Sequence, residues 1–249
     1  DLLRQREGVP MKNNAYKDLS FSILGDSIST LDGYNPPECA VFYDWQNKYL
    51  SGVFAPEDTW WGKVIDALGG RLLVNNSWSG STVCKHPRYE VESYGCSDGR
   101  TGSLGIGDQM PDVVMILLGL NDFGCGMRPT PAEGEDDLAV FSVAYAAMLE
   151  KISRKYPGAE IWCLTLPRSY CSRSPEFEAP VCRGRWHMED YCQAIGACAH
   201  RAGCVLVELY DPDEPYDTID GYHPNADGMR TIASAVLREI GKGAGQDDH

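Results

Sequence analysis

Five short apolar segments, each ending in a polar loop, alternate along the chain with amphipathic helical patterns, and this alternation constrains the fold most. The predicted strands are 19–24, 72–74, 113–118, 161–166 and 205–209, and the predicted helices are 59–68, 138–156, 185–202 and 226–240. Strands that are apolar on both faces and separated by such helices are typical of a parallel sheet covered on both sides. We therefore predict an α/β fold, a three-layer α/β/α sandwich around a doubly wound, five-stranded parallel sheet.

Composition and charge exclude several classes of protein. Hydrophobic residues make up 43% of the 249 residues, enough to form a core, so intrinsic disorder is excluded. The formal net charge of −14 repels phosphate backbones, and we expect no nucleic acid partner. No apolar run approaches the roughly 20 residues that span a bilayer, so we expect no membrane partner either.

The sequence predicts one domain over residues 19–242, with an N-terminal extension at 1–18 and a C-terminal tail at 243–249. The first ten residues contain no apolar core of a secretory signal. Met11 is a candidate native start, which favours a cytoplasmic location, and a secreted mature form stays open. The oligomeric state is also left open.

The cysteines and histidines do not form a recognisable metal motif. None of the ten cysteines belongs to a CxxC pair, and the histidines at 86, 187, 200 and 249 have no close set of ligands at metal spacing. We therefore expect no metal and no cofactor. Disulfides or reactive thiols stay open for the loop cysteines at 84, 96, 171 and 182.

Candidate site residues follow three of the predicted strands, at the edge where doubly wound sheets bind ligands. Ser27 comes directly after the first strand, Gly80 follows the second and Asn121 follows the third. Asp220 precedes His223 by three residues, which allows the carboxylate to fix the tautomer of the imidazole.

These residue types match the needs of acyl transfer. A serine hydroxyl requires a nearby base, which His223 can provide, and Asp220 can orient that base. The developing oxyanion requires donors, which the backbone N–H groups of Ser27 and Gly80 and the side-chain amide of Asn121 can supply.

Each motif alone also has a simpler interpretation. Gly-Asp-Ser is a common surface turn, and Asp220 or Asn225 could serve only as the N-cap of the last helix. Four motifs in this order, each at the end of a predicted strand or beside a predicted helix, favour the catalytic interpretation.

Together the four motifs resemble the SGNH hydrolase family, also called GDSL-type esterases, over most of the chain. The matching blocks are Gly25-Asp26-Ser27, Ser79-Gly80, Gly119-Leu120-Asn121-Asp122 and Asp220-Gly221-Tyr222-His223-Pro224. The resemblance implies a flavodoxin-like three-layer sandwich with Ser27 as nucleophile, His223 as base and Asp220 as its orienting carboxylate. It places Gly80 and Asn121 in the oxyanion hole.

The resemblance also assigns supporting residues and shows one departure. Asp26 and Asp122 match family positions that support the catalytic loops. Many members carry a glycine shortly before the oxyanion glycine, whereas this chain has Ser77-Trp78-Ser79. We therefore predict that Trp78 borders the pocket.

The expected function is a serine ester hydrolase that forms an acyl-enzyme on a small acyl ester, with an O-acetylated carbohydrate as a candidate substrate. The expected partner is thus a small-molecule or carbohydrate ester. An O-acyltransferase with the same site and a catalytically silent glycan-binding module remain as alternatives. The long loops at 81–109, 123–137 and 168–184 are expected to form the pocket walls.

Overall fold

The central element is a parallel sheet of five strands in the order β2-β1-β3-β4-β8, seen in a computed structural model that describes residues 14–85, 92–176 and 179–243. Its strands are β1 (Ser20–Gly25), β2 (Arg71–Ser77), β3 (Val113–Leu117), β4 (Glu160–Leu164) and β8 (Val205–Val207). Four two-residue strands form two small accessory sheets: β5 (Ser169–Tyr170) pairs with β9 (Tyr216–Asp217), and β6 (Cys182–Arg183) pairs with β7 (Trp186–His187). The predicted sheet is confirmed.

Helices cover both faces of the sheet. They are α1 (Asn47–Ser51), α2 (Trp60–Leu68), α3 (Asp98–Gly102), α4 (Leu120–Cys125), α5 (Phe141–Lys155), α6 (Met188–Ala202) and α7 (Ala226–Gly243). Helices α2 and α7 pack together on one face, and α5 packs against α3 and α6 on the other. This is the predicted three-layer sandwich.

Two buried cores explain why the strands are continuously apolar. In β3, Val113 and Met115 face the core with α2 and α7, while Val114 and Ile116 face the core with α5 and α6. Because successive side chains point to opposite faces, a strand between two helical layers has no polar side.

The predicted elements differ from the observed ones mainly in their ends and in the short pieces. Helix α5 begins at Phe141 and not at residue 138, because the preceding residues form a turn closed by the bond from Val140 N–H to the carbonyl of Asp137. Helices α1, α3 and α4 are too short to show a helical period in sequence.

All ten cysteines lie within the described residues, and none of them forms a disulfide there. Cys84, Cys96 and Cys171 are buried, and Cys182 is partly exposed. No helix in the described part of the chain is long and apolar enough to cross a membrane.

Candidate active site

A tight turn at the end of β1 presents Ser27 at the carboxyl edge of the sheet. Asp26 caps a single 3-10 turn, Ser27–Ser29, by accepting a hydrogen bond from Ile28 N–H at 3.0 Å. Gly25 makes the turn possible, since a Cβ atom there would lie 2.6 Å from the Ser29 Oγ. Ser27 itself is 8% exposed, so its hydroxyl is held in a nearly closed environment.

Ser27, His223 and Asp220 form a continuous hydrogen-bonded chain. His223 Nε2 lies 2.9 Å from Ser27 Oγ, and His223 Nδ1 lies 2.7 Å from Asp220 Oδ2. Burial raises the pKa of Asp220, but hydrogen bonds from His223 and Tyr222 outweigh this effect and hold the pKa at about 2. An ionised carboxylate only accepts, so Nδ1 carries the proton and Nε2 of the neutral imidazole accepts from the Ser27 hydroxyl.

The loop that carries the histidine is braced from several sides. Asp220 Oδ1 accepts from His223 N–H at 2.8 Å, Ser169 Oγ donates to the Gly221 carbonyl at 2.8 Å, and Tyr43 Oη donates to the Pro224 carbonyl at 2.7 Å. These bonds fix the backbone on both sides of the imidazole.

The N-terminus of α7, which follows this loop, is capped by Asn225 and not by Asp220. Asn225 Oδ1 accepts from Gly228 N–H at 2.9 Å and caps α7, while its Nδ2 donates to Asp217 Oδ2 at 2.8 Å. The capping role considered for Asp220 or Asn225 is thus filled by Asn225, and Asp220 bonds to the histidine.

Phe42 stacks on the imidazole, a contact that the sequence does not reveal. The two ring centroids are 3.4 Å apart and the planes differ by 9°. Phe42 N–H donates to Thr30 Oγ1 at 2.9 Å, and Thr30 Oγ1 donates to the Ser27 carbonyl at 2.9 Å. The ring that holds the imidazole plane is therefore tied to the serine turn.

Gly80 and Asn121 lie beside the serine turn. Gly80 has φ +80°, a left-handed conformation that favours glycine, in a turn closed by the bond from Ser81 N–H to the Trp78 carbonyl at 3.0 Å. Asn121 Nδ2 donates to the Ser81 carbonyl at 2.9 Å and lies 3.5 Å from Asp26 Oδ2. The amide is thus held between the Gly80 turn and the residue before Ser27.

A buried arginine, which sequence reasoning missed, ties these turns together. Arg100 is 3% exposed, and all three of its guanidinium nitrogens donate. Nε bonds Asn76 Oδ1 at 2.9 Å, and Nη1 bonds Ser81 Oγ at 2.8 Å and the Ser93 carbonyl. Nη2 bonds the carbonyls of Gly25 at 3.0 Å and Asn76 at 2.8 Å. One side chain therefore joins the ends of β1 and β2 to the Gly80 turn.

Two buried carboxyls support the site. Asp122 accepts from Val83 N–H at 2.8 Å and from Cys84 N–H at 3.0 Å, which holds the loop after Gly80. Burial raises the pKa of both Asp26 and Asp122 to about 6. Each carboxyl also accepts at least one hydrogen bond from a backbone N–H group, which lowers its pKa, but burial has the larger effect. Arg100 lowers the pKa of Asp26 further, but burial dominates.

These raised pKa values predict that the protein loses stability as pH rises from about 4 to about 6. In this window the folded carboxyls bind protons that the unfolded chain has released, so each lowers the free energy of unfolding by at most about 1.4 kcal/mol per pH unit. Urea unfolding of Asp122→Asn should show a smaller decline than the wild type across this window. The control Asp66→Asn, at an exposed position on α2, should keep the wild-type slope, and equal slopes in all three proteins would contradict the expectation.

Replacement of Asp220 by asparagine is expected to lower kcat for ester hydrolysis by roughly 10³–10⁴-fold. The amide would favour the wrong imidazole tautomer, and His223 could no longer accept the serine proton. Steady-state kinetics of Asp220→Asn and of the control Asp66→Asn measure this effect. A kcat for Asp220→Asn within about tenfold of wild type would show that the carboxylate does not control the tautomer.

The remaining sequence predictions concern Trp78 and the histidines that were examined as metal ligands. Trp78 is half-buried and donates its backbone N–H to the Gly25 carbonyl at 3.1 Å. Its place at the pocket border stays a prediction. His86 and His249 lie outside the described residues. Among the residues that are described, no group of three His, Cys, Asp or Glu side chains could hold a metal ion.

The fold and the family match below define a carboxylic ester hydrolase, and a hydrogen-bonded chain of Ser27, His223 and Asp220 lies at the carboxyl edge of its doubly wound sheet. The family model of the GDSL-like lipases and acylhydrolases matches residues 19–168, and the chain belongs to this family. The resemblance seen in the four motifs is thereby confirmed. No curated protein sequence matches the chain significantly.

Solved structures agree with this assignment. A GDSL-like lipase from Bacteroides ovatus is 28% identical to this chain with a TM-score of 0.69, and the alignment covers 91% of this chain and 99% of the lipase chain. One from Bacteroides uniformis shares 27% identity and a TM-score of 0.67, covering 90% and 96%. An active-site mutant of a family two carbohydrate esterase from Clostridium thermocellum shares the fold at 17% identity and a TM-score of 0.56, covering 92% of this chain and 65% of its own.

Proposed function

We propose that the protein hydrolyses small acyl esters through an acyl-enzyme on Ser27. The observation that carries the proposal is the chain of 2.9 Å and 2.7 Å contacts from Ser27 through His223 to Asp220. Ser27 Oγ attacks the ester carbonyl while its proton passes to His223 Nε2, and the C–O bond to the alcohol then breaks as that proton moves to the leaving oxygen. Water next attacks the acyl-enzyme, gives its proton to His223 and releases the acid, and the proton returns to Ser27.

The negative charge that develops on the carbonyl oxygen needs donors that are already in place. In this proposal, the backbone N–H groups of Ser27 and Gly80 and the Nδ2 of Asn121 supply them. The left-handed turn at Gly80 and the bond from Asn121 to Ser81 support this role, because both groups are oriented before a substrate arrives.

Exposed aromatic side chains that follow Phe42 in the sequence support a carbohydrate as the alcohol part of the ester substrate. Trp45 is 67% exposed and Tyr49 is 78% exposed, in the segment just after Phe42, whose ring stacks on His223. Exposed aromatic rings near a site offer flat apolar faces to a sugar ring. Trp60 and Trp61, in contrast, are buried in the core and cannot contact a sugar. The fold shared with a carbohydrate esterase is consistent with this choice.

The proposal is tested by stopped-flow hydrolysis of p-nitrophenyl acetate, butyrate and octanoate, with mass spectrometry of the quenched protein. We expect a burst of p-nitrophenol and an acyl adduct on Ser27, largest with the shorter chains. Turnover that survives in Ser27→Ala, or an adduct on another residue, would refute the assignment of the nucleophile. No turnover and no adduct with any ester would favour the silent glycan-binding alternative.

Product analysis separates hydrolysis from acyl transfer. An acetylated sugar is incubated with the enzyme, with and without a second sugar that bears free hydroxyl groups. We expect acetate as the product in both cases. Transfer of the acetyl group to the added sugar in preference to water would instead identify an O-acyltransferase.

A further inference from the structure

The β6–β7 hairpin brings a second arginine, Arg183, beside the catalytic loop. Strand β6 packs against α4, the helix that contains Asn121, and Arg183 Nη2 donates to Tyr222 Oη at 3.0 Å. Tyr222 directly precedes His223, and its backbone is held by its own bond to Asp220 Oδ1 at 3.0 Å. Arg183 thus lies between the helix of the oxyanion amide and the loop of the catalytic histidine.

The guanidinium of Arg183 has an unused donor. Its Nε atom is buried and has no hydrogen-bond partner within the described part of the chain. No carboxylate in that same part lies within ion-pair distance of Arg183. Arg100, in contrast, uses all three nitrogens. A buried cationic donor without a partner is costly, and a bound anion is one means of satisfying it.

The surrounding segment is basic although the protein is acidic. Residues 168–187 contain four arginines and two glutamates, in a chain with a net charge of −14. None of these arginines, Arg168, Arg173, Arg183 and Arg185, forms an ion pair with a carboxylate among the residues described. The segment follows β4 and therefore lies at the carboxyl edge of the sheet, where its local positive charge attracts anions that the rest of the surface repels.

We propose that Arg183 binds a carboxylate carried by the ester substrate and so selects acidic esters. The proposal rests on the proposed function, because it places the carboxylate on the molecule that Ser27 attacks. A guanidinium recognises a carboxylate through paired N–H donors, and the free Nε supplies one of them. The carboxylate belongs either to the acyl group, as in a half-ester of a dicarboxylic acid, or to the alcohol, as in an acidic sugar.

Three matched esters test the proposal. Phenyl acetate is neutral, 4-acetoxybenzoate carries a carboxylate on the alcohol side, and monophenyl glutarate carries one on the acyl side. We expect the wild type to prefer one of the acidic esters, and the preferred ester identifies the side. Arg183→Gln should lower kcat/KM for that ester about tenfold or more relative to phenyl acetate, mainly by raising KM.

Two further variants separate charge recognition from a structural role. Arg183→Lys keeps the charge and should recover part of the preference, whereas a role only in holding Tyr222 would affect all three esters equally. Arg173→Gln, an exposed arginine of the same segment, should leave the kinetics of all three esters within about twofold of wild type. A wild type without preference for either acidic ester, or equal losses on all three in Arg183→Gln, would overturn the proposal.

A binding measurement tests recognition of the carboxylate by Arg183 without relying on turnover. Calorimetry with Ser27→Ala should detect binding of the preferred acidic ester, and adding Arg183→Gln should weaken it about tenfold or more. Equal affinity in the two proteins, or no binding in either, would overturn the role of Arg183. Failure of the proposed function would appear separately, as turnover of phenyl acetate that survives in Ser27→Ala.

Discussion

Ser27→Ala is expected to lower kcat for p-nitrophenyl acetate by roughly 10⁴-fold or more, because the variant lacks the only atom that can form the acyl-enzyme in the proposed mechanism. KM should change less, since the proposed oxyanion donors are retained. The Ser27 Oγ is in hydrogen-bond contact with His223 at 2.9 Å, and alanine leaves the rest of that chain in place. Steady-state kinetics on purified protein measure the loss.

The matched control is Ser153→Ala on α5, which removes the same hydroxyl far from the site and should leave kcat within about twofold of wild type. Circular dichroism and unfolding curves of both variants should match the wild type. A folded Ser27→Ala protein that retains wild-type turnover would mean that another residue attacks the ester, and the assignment of the base would then need revision as well.

Arg100→Met is expected to lower the free energy of unfolding by about 3–5 kcal/mol, the range seen when one partner of a buried charged network is removed. Methionine fills similar space but leaves the acceptors on Gly25, Asn76, Ser81 and Ser93 without their donor. It also removes the cation that stabilises ionised Asp26. Urea unfolding followed by circular dichroism measures the change.

Arg154→Met, at an exposed position on α5, is the control and should change the unfolding free energy by less than about 0.5 kcal/mol. If Arg100→Met is too unstable to purify, Arg100→Lys provides the measurement, because a single ammonium group can replace only some of the bonds. An Arg100→Met protein as stable as the control would show that the guanidinium network is not a source of stability.

The sheet and its helical layers could be predicted from sequence because their signals are local and repeated. Strand β3 is a continuous apolar run between two cores, and α5 shows a clear apolar stripe from Phe141 to Ile152. The accessory strands β5 to β7 and β9 have two residues each, so no alternation can develop in them.

The candidate site could be predicted only in part. Ser27, Asp220 and His223 were visible because they belong to short motifs with a fixed chemical logic, and the structure brings them into one chain of contacts. Phe42 and Arg100 were not visible, because each acts through contacts with residues distant in sequence. Phe42 reaches across to position 223, and Arg100 bonds Gly25 from 75 positions away. A lone phenylalanine or arginine in a loop carries no sequence signal of such a contact.

The hydrogen bond between Ser27 and His223 joins residues that are 196 positions apart. Closing so long a loop costs chain entropy that only the assembled sheet can offset, and contacts of this kind raise contact order and slow folding. The contact between Ser27 and His223 therefore forms only after β1 and the segment before α7 have both reached their native places. In the proposed mechanism, the ability to acylate Ser27 is thus a late event of refolding, and it reports completion of the native topology more strictly than the recovery of helical signal does.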